Sequence, residues 1–148
     1  MPDLKDLSDE DLLTACLWAE ARGEAEEGQK AVCSVIINRV KKRMAPDIRA
    51  VILKPKQFSW TDPQDVNYKK AFTAKTDNPG SWERALKIAQ MALAEALEDI
   101  TKNADHYLNV EVTRRIRGGT LPKWAQEGID TGKVTAVIGN HTFLNLRG

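Results

Sequence analysis

Apolar residues recur at helical spacing over the first hundred positions of the chain and alternate or cluster in short β-branched runs over the last third. Ser8 is followed by Asp9, Glu10 and Asp11 and then by Leu12, Leu13, Cys16, Leu17 and Trp18, which predicts a helix with Ser8 as N-cap and acidic residues in its first turn. That helix should end near Gly23, a glycine just past the last apolar position being the usual sign of a C-cap. Ala31, Val32, Val35, Ile36 and Val40 predict a second helix from about Glu27 to Met44, stopped by Pro46. It is apolar on nearly all sides and is expected to be central. The stretch Ile52 to Gln64, which contains LKPKQFSWTDPQ, reads as a long loop with its own side-chain packing. A short helix is expected from Val66 to Ala74. NPGS then introduces a longer one with Ser81 as cap, whose stripe is Trp82, Ala85, Leu86, Ala89, Leu93, Ala96, Leu97 and Ile100. HYLNVEV suggests a strand, and VTAVIGNHTFLNL suggests two strands joined by a Gly139-Asn140 hairpin turn. The predicted fold is α+β: N-terminal helices, then a long helix, then a small C-terminal antiparallel sheet.

Composition narrows the picture. With 148 residues, 42% of them hydrophobic and 29% charged, the chain suits one domain over residues 1–148. A formal net charge of +1 lacks the electrostatic signature of a duplex nucleic-acid binder, so no nucleic-acid partner is expected. No apolar run is long enough to span a bilayer, and the opening MPDLKDLSDED is polar and acidic where a secretory signal needs a basic flank and an apolar core. The expectation is a chain made in the cytoplasm, without a membrane anchor. Cys16 and Cys33 lie in apolar helical surroundings and read as reduced thiols. His106 and His141 are far apart and form no zinc spacing, so neither metal nor cofactor is expected.

The candidate chemistry sits in LWAEARGE, Leu17 to Glu24. Glu20 lies four residues after Cys16 and three after Leu17, on the apolar stripe those residues form. Desolvation there, and the carbonyls at a helix C-terminus, both favour the protonated carboxyl and suit a general acid. The alternative is a glutamate at a helix end paired with Arg22 or Arg39. Glu24 is a candidate second carboxylate, since an i, i+4 pair on one helix could approach the roughly 5–5.5 Å used in retaining glycoside hydrolysis. Gly23 weakens that pairing by ending the helical spacing. Asp62 and Asp65, beside Pro63, are further candidates, each with a turn-forming role as its alternative.

AEARGEAEEGQKAVCSVIINRV resembles the opening motif of the SleB-like, or spore cortex-lytic, cell wall hydrolases. KPKQFSWT is similar to the family's P-x-x-F-S tract, ADHYLN to its tyrosine- and asparagine-bearing strand, LPKWA to its tryptophan segment and IGNHTF to its closing hairpin. These pieces follow the family order from Trp18 to Phe143. The resemblance implies a lysozyme-like domain that cuts the glycosidic bond between N-acetylmuramic acid and N-acetylglucosamine in peptidoglycan, with Glu20 as its catalytic residue. It implies a lytic transglycosylase, with a muramidase that hydrolyses by water, or a non-catalytic glycan-binding protein of the same fold, as alternatives.

By the same resemblance Ser59, Trp60, Tyr107, Asn109, Lys123 and Trp124 are expected to line a sugar cleft, together with Glu24 and Asp62. Trp60 and Trp124 read equally well as core aromatics, and HYLNV departs from the family's usual Y-Y-N-P. Gly28 and Asn38 are expected to serve the helix pair, with Asn38 a brace near Glu20, and His141 to hydrogen-bond the backbone of its turn. A catalytic domain without a recognisable leader resembles a bacteriophage or prophage endolysin. Such an enzyme would be monomeric and would reach the wall through a holin-type membrane lesion or be carried in a phage particle.

Overall fold

The structure is a computed structural model that describes residues 3–148. Its elements are α1 (Asp9–Ala21), α2 (Glu26–Lys41), α3 (Ile48–Leu53), α4 (Val66–Asp77), α5 (Pro79–Leu93), β1 (His106–Leu108), α6 (Val110–Ile116), α7 (Lys123–Asp130), β2 (Val134–Ile138) and β3 (His141–Leu144). Short 3-10 turns lie at Leu4–Asp6 and Ser59–Thr61. The α+β class read from the pattern is the one observed, helices first and a small antiparallel sheet last.

Local chemistry explains most boundaries. The Ser8 hydroxyl accepts from the Asp11 amide at 3.1 Å, capping α1 as expected. At its other end the chain leaves through Arg22 in right-handed geometry, and Gly23 is not left-handed, so the glycine C-cap expected there is absent. The second helix stops at Lys41, short of Met44, because Arg43 turns left-handed at φ 60° and the Met44 amide returns to the Arg39 carbonyl at 2.9 Å. The same device ends α5: Glu95 takes φ 57° and the Ala96 amide reaches the Met91 carbonyl at 2.8 Å, leaving Leu97 and Ile100 beyond the helix. Pro79 occupies the first turn of α5, and Ser81 is not its cap. The Ser81 hydroxyl instead accepts from Trp18 Nε1 at 2.9 Å. Part of the expected loop after Ile52 is structured, since Asp47 caps α3 through the Ala50 amide at 2.8 Å. In HYLNVEV only three residues form a strand; Asn109 accepts from the Val112 amide at 3.0 Å and starts α6 instead.

Three buried clusters result. Helix α1 packs against α2, α3, α4 and α5, and its Leu12, Leu13, Cys16 and Leu17 are fully buried, each large side chain contributing roughly 1.5–3 kcal/mol through burial. Helix α2 turns Val32, Cys33 and Ile36 into that cluster and Ala31 and Val35 toward Ala104 and Phe143 under the sheet. The strand order is β1-β3-β2, all pairs antiparallel, with Tyr107 opposite Phe143. Leu108 and Leu144 point the other way, onto Leu121 and Ala125 beside and within α7. The predicted hairpin is present, with Gly139 at φ 58° in its turn.

A polar network fixes the segment leading into β1. Asp105 is fully buried; it binds Lys42 Nζ at 2.8 Å, His106 Nδ1 at 2.7 Å, and the Leu146 and Arg147 amides at 2.9 and 2.8 Å. Burial alone would raise its carboxyl, but these donors hold it well below the usual range. Asn38 Nδ2 donates to Asp99 Oδ2 at 2.9 Å and to the Ala104 carbonyl at 2.8 Å. It therefore braces the approach to β1, not Glu20. Both cysteines are free and buried, and desolvation pushes the Cys33 thiol up to about 12.

Candidate active site

Glu20 stands one residue before the end of α1, in the wall of a groove of about 1180 Å³. The groove is also lined by the segment after α3 and the start of α4, including Phe58, Ser59, Asp62, Asp65 and Tyr68. Prolines and Asx turns shape that wall: Asp62 accepts from the Gln64 amide at 2.9 Å, and Asp65 caps α4 through the Asn67 amide at 2.8 Å.

Tyr107 Oη donates to Glu20 Oε1 at 2.7 Å, joining strand β1 to helix α1 across 87 positions of sequence. Burial raises the Glu20 carboxyl above its ordinary value, and the negative charge of Asp65 adds to the effect. The Tyr107 hydrogen bond and the Arg39 charge oppose it without cancelling it. Desolvation is thus the cause expected from the stripe. The adverse helix-end field is largely covered, because Arg22 Nη1 donates to the Trp18 and Ala19 carbonyls, both at 3.2 Å. The Arg22 guanidinium also lies 4.0 Å over the Trp18 ring, and Nη2 reaches Asn67 Oδ1 at 3.0 Å. It forms no ion pair with Glu20. Arg39 is buried, donates Nε to the Asp105 carbonyl at 2.8 Å, and faces the Phe58 ring at 5.8 Å, so its positive charge lies behind the site and not in the groove. A carboxyl with a raised pKa, one oxygen fixed by a phenol and a groove beside it, can give and retake a proton.

The residues expected at a sugar cleft divide into two sets. Glu20, Ser59 and Asp62 line the groove, and Tyr107 holds Glu20. Glu24 does not join them: its carboxylate accepts from Asn140 N at 3.1 Å and Asn140 Nδ2 at 2.8 Å, a clamp between the α1–α2 turn and the hairpin. Trp60 is 1% exposed and belongs to the helical core. Asn109 is spent on capping α6. Lys123 projects into solvent, 3.8 Å from Glu127. Trp124 lies against the ring of His106 at 5.1 Å. Because His106 and Tyr107 are adjacent in a strand, they face opposite sides, which puts Trp124 behind the sheet. His141 makes no hydrogen bond to backbone; its ring meets Tyr107 edge-on at 5.1 Å.

Sequence reasoning passed over Tyr68 and the Asn140 clamp. Tyr68 carries no spacing signal, since only the tertiary fold brings the start of α4 to the groove that Glu20 lines. Among the described residues no three His, Cys, Asp or Glu side chains converge as a metal site would require.

A helical domain closed by a small sheet, with a desolvated carboxyl in the side of an open groove, is the architecture of the lysozyme-like class. The chain belongs to the cell wall hydrolase family, which it matches over residues 23–144. That span begins just beyond Glu20. A spore cortex-lytic enzyme of Oceanobacillus iheyensis is 36% identical over an alignment of 84 positions that covers 51% of this chain and 29% of the relative, so the match spans less than a third of that protein. The catalytic domain of the germination-specific lytic transglycosylase SleB from Bacillus anthracis superposes with a TM-score of 0.65 at 26% identity, covering 98% of this chain and all of that one. The catalytic domain of the Bacillus cereus SleB protein gives 0.62 at 25% identity over 93% of this chain and 89% of its own.

Proposed function

We propose that the protein is a peptidoglycan lytic transglycosylase that cleaves the β-1,4 bond between N-acetylmuramic acid and N-acetylglucosamine, with Glu20 as acid and then base. The observation that carries this reading is the Tyr107–Glu20 hydrogen bond of 2.7 Å at the groove wall. It holds Oε1 and leaves Oε2 to the substrate. In the first step the Glu20 carboxyl protonates the glycosidic oxygen as the C1–O4 bond breaks. The resulting carboxylate takes the proton of the muramic acid 6-hydroxyl while O6 bonds to C1, which gives a 1,6-anhydro end and restores the acid. No water is consumed and no second carboxylate is needed, in keeping with a Glu24 that is turned away into the Asn140 clamp.

A second reading has one observation in its favour: Asp62 and Asp65 share the groove with Glu20 and could orient a water. Mass spectrometry of fragments released from purified peptidoglycan separates the two. Anhydro-muramic ends support transglycosylation, reducing ends support hydrolysis, and binding without release leaves a glycan-binding protein. Glu20→Gln should abolish release, and wild-type rates in that variant would refute the assignment. The proposal includes the endolysin setting with holin-dependent access to the wall. Expression in a bacterial host should then lyse cells when a holin is co-expressed and not in its absence.

A further inference from the structure

The Glu24 clamp is built with unusual closeness. A Cβ on Gly28 would stand 2.9 Å from Glu24 Cβ, and one on Gly139 would stand 2.8 Å from Glu24 Oε1, so both glycines make room for this one side chain. The Gln29 amide Nε2 fixes the Glu24 carbonyl at 3.0 Å. Beyond its two bonds to Asn140, Glu24 Oε1 lies 3.4 Å from His141 Nδ1. That nitrogen is buried and has no hydrogen-bond partner among the described residues, so the carboxylate is the group that faces it. The other side of the same imidazole meets the Tyr107 ring edge-on, at 5.1 Å and 80°. Phe143 flanks the tyrosine at 5.9 Å, and the phenol hydroxyl ends on Glu20. Contacts therefore run without a gap from Glu24 through His141 and Tyr107 to the acid.

We propose that Glu24 and His141 are positioning residues of this enzyme: the clamped carboxylate sets the imidazole, the imidazole sets the tilt of the Tyr107 ring, and the ring aims the Glu20 carboxyl into the groove. Neither residue touches substrate. The second glutamate of EARGE serves the first one by this route, and the asparagine and histidine of IGNH complete it. The inference rests on the reading of Glu20 and Tyr107 given above, and the test keeps the two apart.

The test is a double-mutant cycle on initial rates of fragment release from soluble, uncrosslinked glycan chains, with folding checked by thermal melting. Glu24→Gln and His141→Gln should each lower kcat about tenfold with KM changed by less than about twofold, the pattern of a misaimed reacting group. In a Tyr107→Phe background, neither substitution should lower kcat further, because the path to the acid is already cut. Wild-type kcat in both folded variants, or full multiplication of their losses with that of Tyr107→Phe, would overturn the proposal. If Glu24→Gln fails to fold, His141→Gln carries the test, since its ring has no hydrogen bond to lose. If neither folds, the pair is a structural clamp and the proposal falls. Glu20→Gln is assayed in parallel: activity in that variant removes the catalytic reading itself, whereas an inert Glu20→Gln beside a failed cycle removes only the positioning role.

Discussion

Replacing Tyr107 by phenylalanine isolates one hydrogen bond at the centre of the site. The ring keeps its contacts with His141 and Phe143, and only the 2.7 Å donation to Glu20 Oε1 is lost. A hydrogen bond to a carboxylate contributes about 1.5–3 kcal/mol, which corresponds to roughly 1–2 pKa units. This bond favours the charged form of Glu20, so its loss must move the pKa further up from an already raised position. A general acid works while protonated, and its rate falls as pH rises through its pKa. The variant should therefore show the high-pH limb of kcat displaced upward by about 1–2 units. Its maximum should be lower as well, because Oε1 is no longer held. Initial rates of fragment release from purified peptidoglycan, measured from about pH 4 to pH 9 on protein with an unchanged melting curve, read both effects. A limb that stays in place, or moves down, would refute the argument that Tyr107 stabilises the carboxylate of the catalytic acid.

Two other outcomes follow from packing and from buried charge. Gly28→Ala brings a Cβ to 2.9 Å from Glu24 Cβ, backbone-anchored on both sides, and should cost about 1–3 kcal/mol in urea denaturation. Gly23→Ala, with nothing within 4 Å among the described residues and no left-handed φ, is the control and should be neutral or slightly stabilising. Asp105 is held below its ordinary 3.8, so its contribution is present above about pH 4 and is lost as pH falls through its folded value. Asp105→Asn should thus be destabilised at neutral pH, by roughly 3 kcal/mol, because Lys42 loses its charged partner while keeping the Asn103 carbonyl and Asn145 Oδ1. The gap to wild type should narrow steadily below about pH 4, as measured by denaturation at several pH values.

The parts of this fold that were legible in the sequence are those whose signals are local. Ser8, the Leu12 to Trp18 stripe and Gly139-Asn140 each act within a turn or two of chain, and the structure has the helix and the hairpin where they point. Helix ends were less legible, because Arg43 and Glu95 close α2 and α5 in left-handed geometry without a glycine to announce it. At Asn109 two local signals competed, strand alternation and an N-cap, and the cap won because the side chain reaches the Val112 amide. Glu20 could be marked as a desolvated carboxyl from spacing alone. The direction of Arg22 could not, since the Trp18 ring and Asn67 that hold it are brought there by tertiary packing. Trp60 shows the same limit from the other side: an aromatic residue in a promising tract is placed by the core it fills, whereas Trp124 stays half-exposed against His106.

Glu20 and the groups proposed to aim it lie far apart in the chain. The helical cluster draws its buried side chains from the stretch ending at Ala92, whereas Tyr107 and His141 arrive with the last third of the chain. Until β1 is made, Glu20 has no phenol hydroxyl to accept from. A chain that stops before β1 therefore lacks the phenol that holds Glu20 Oε1, and the proposed acid would be left unaimed.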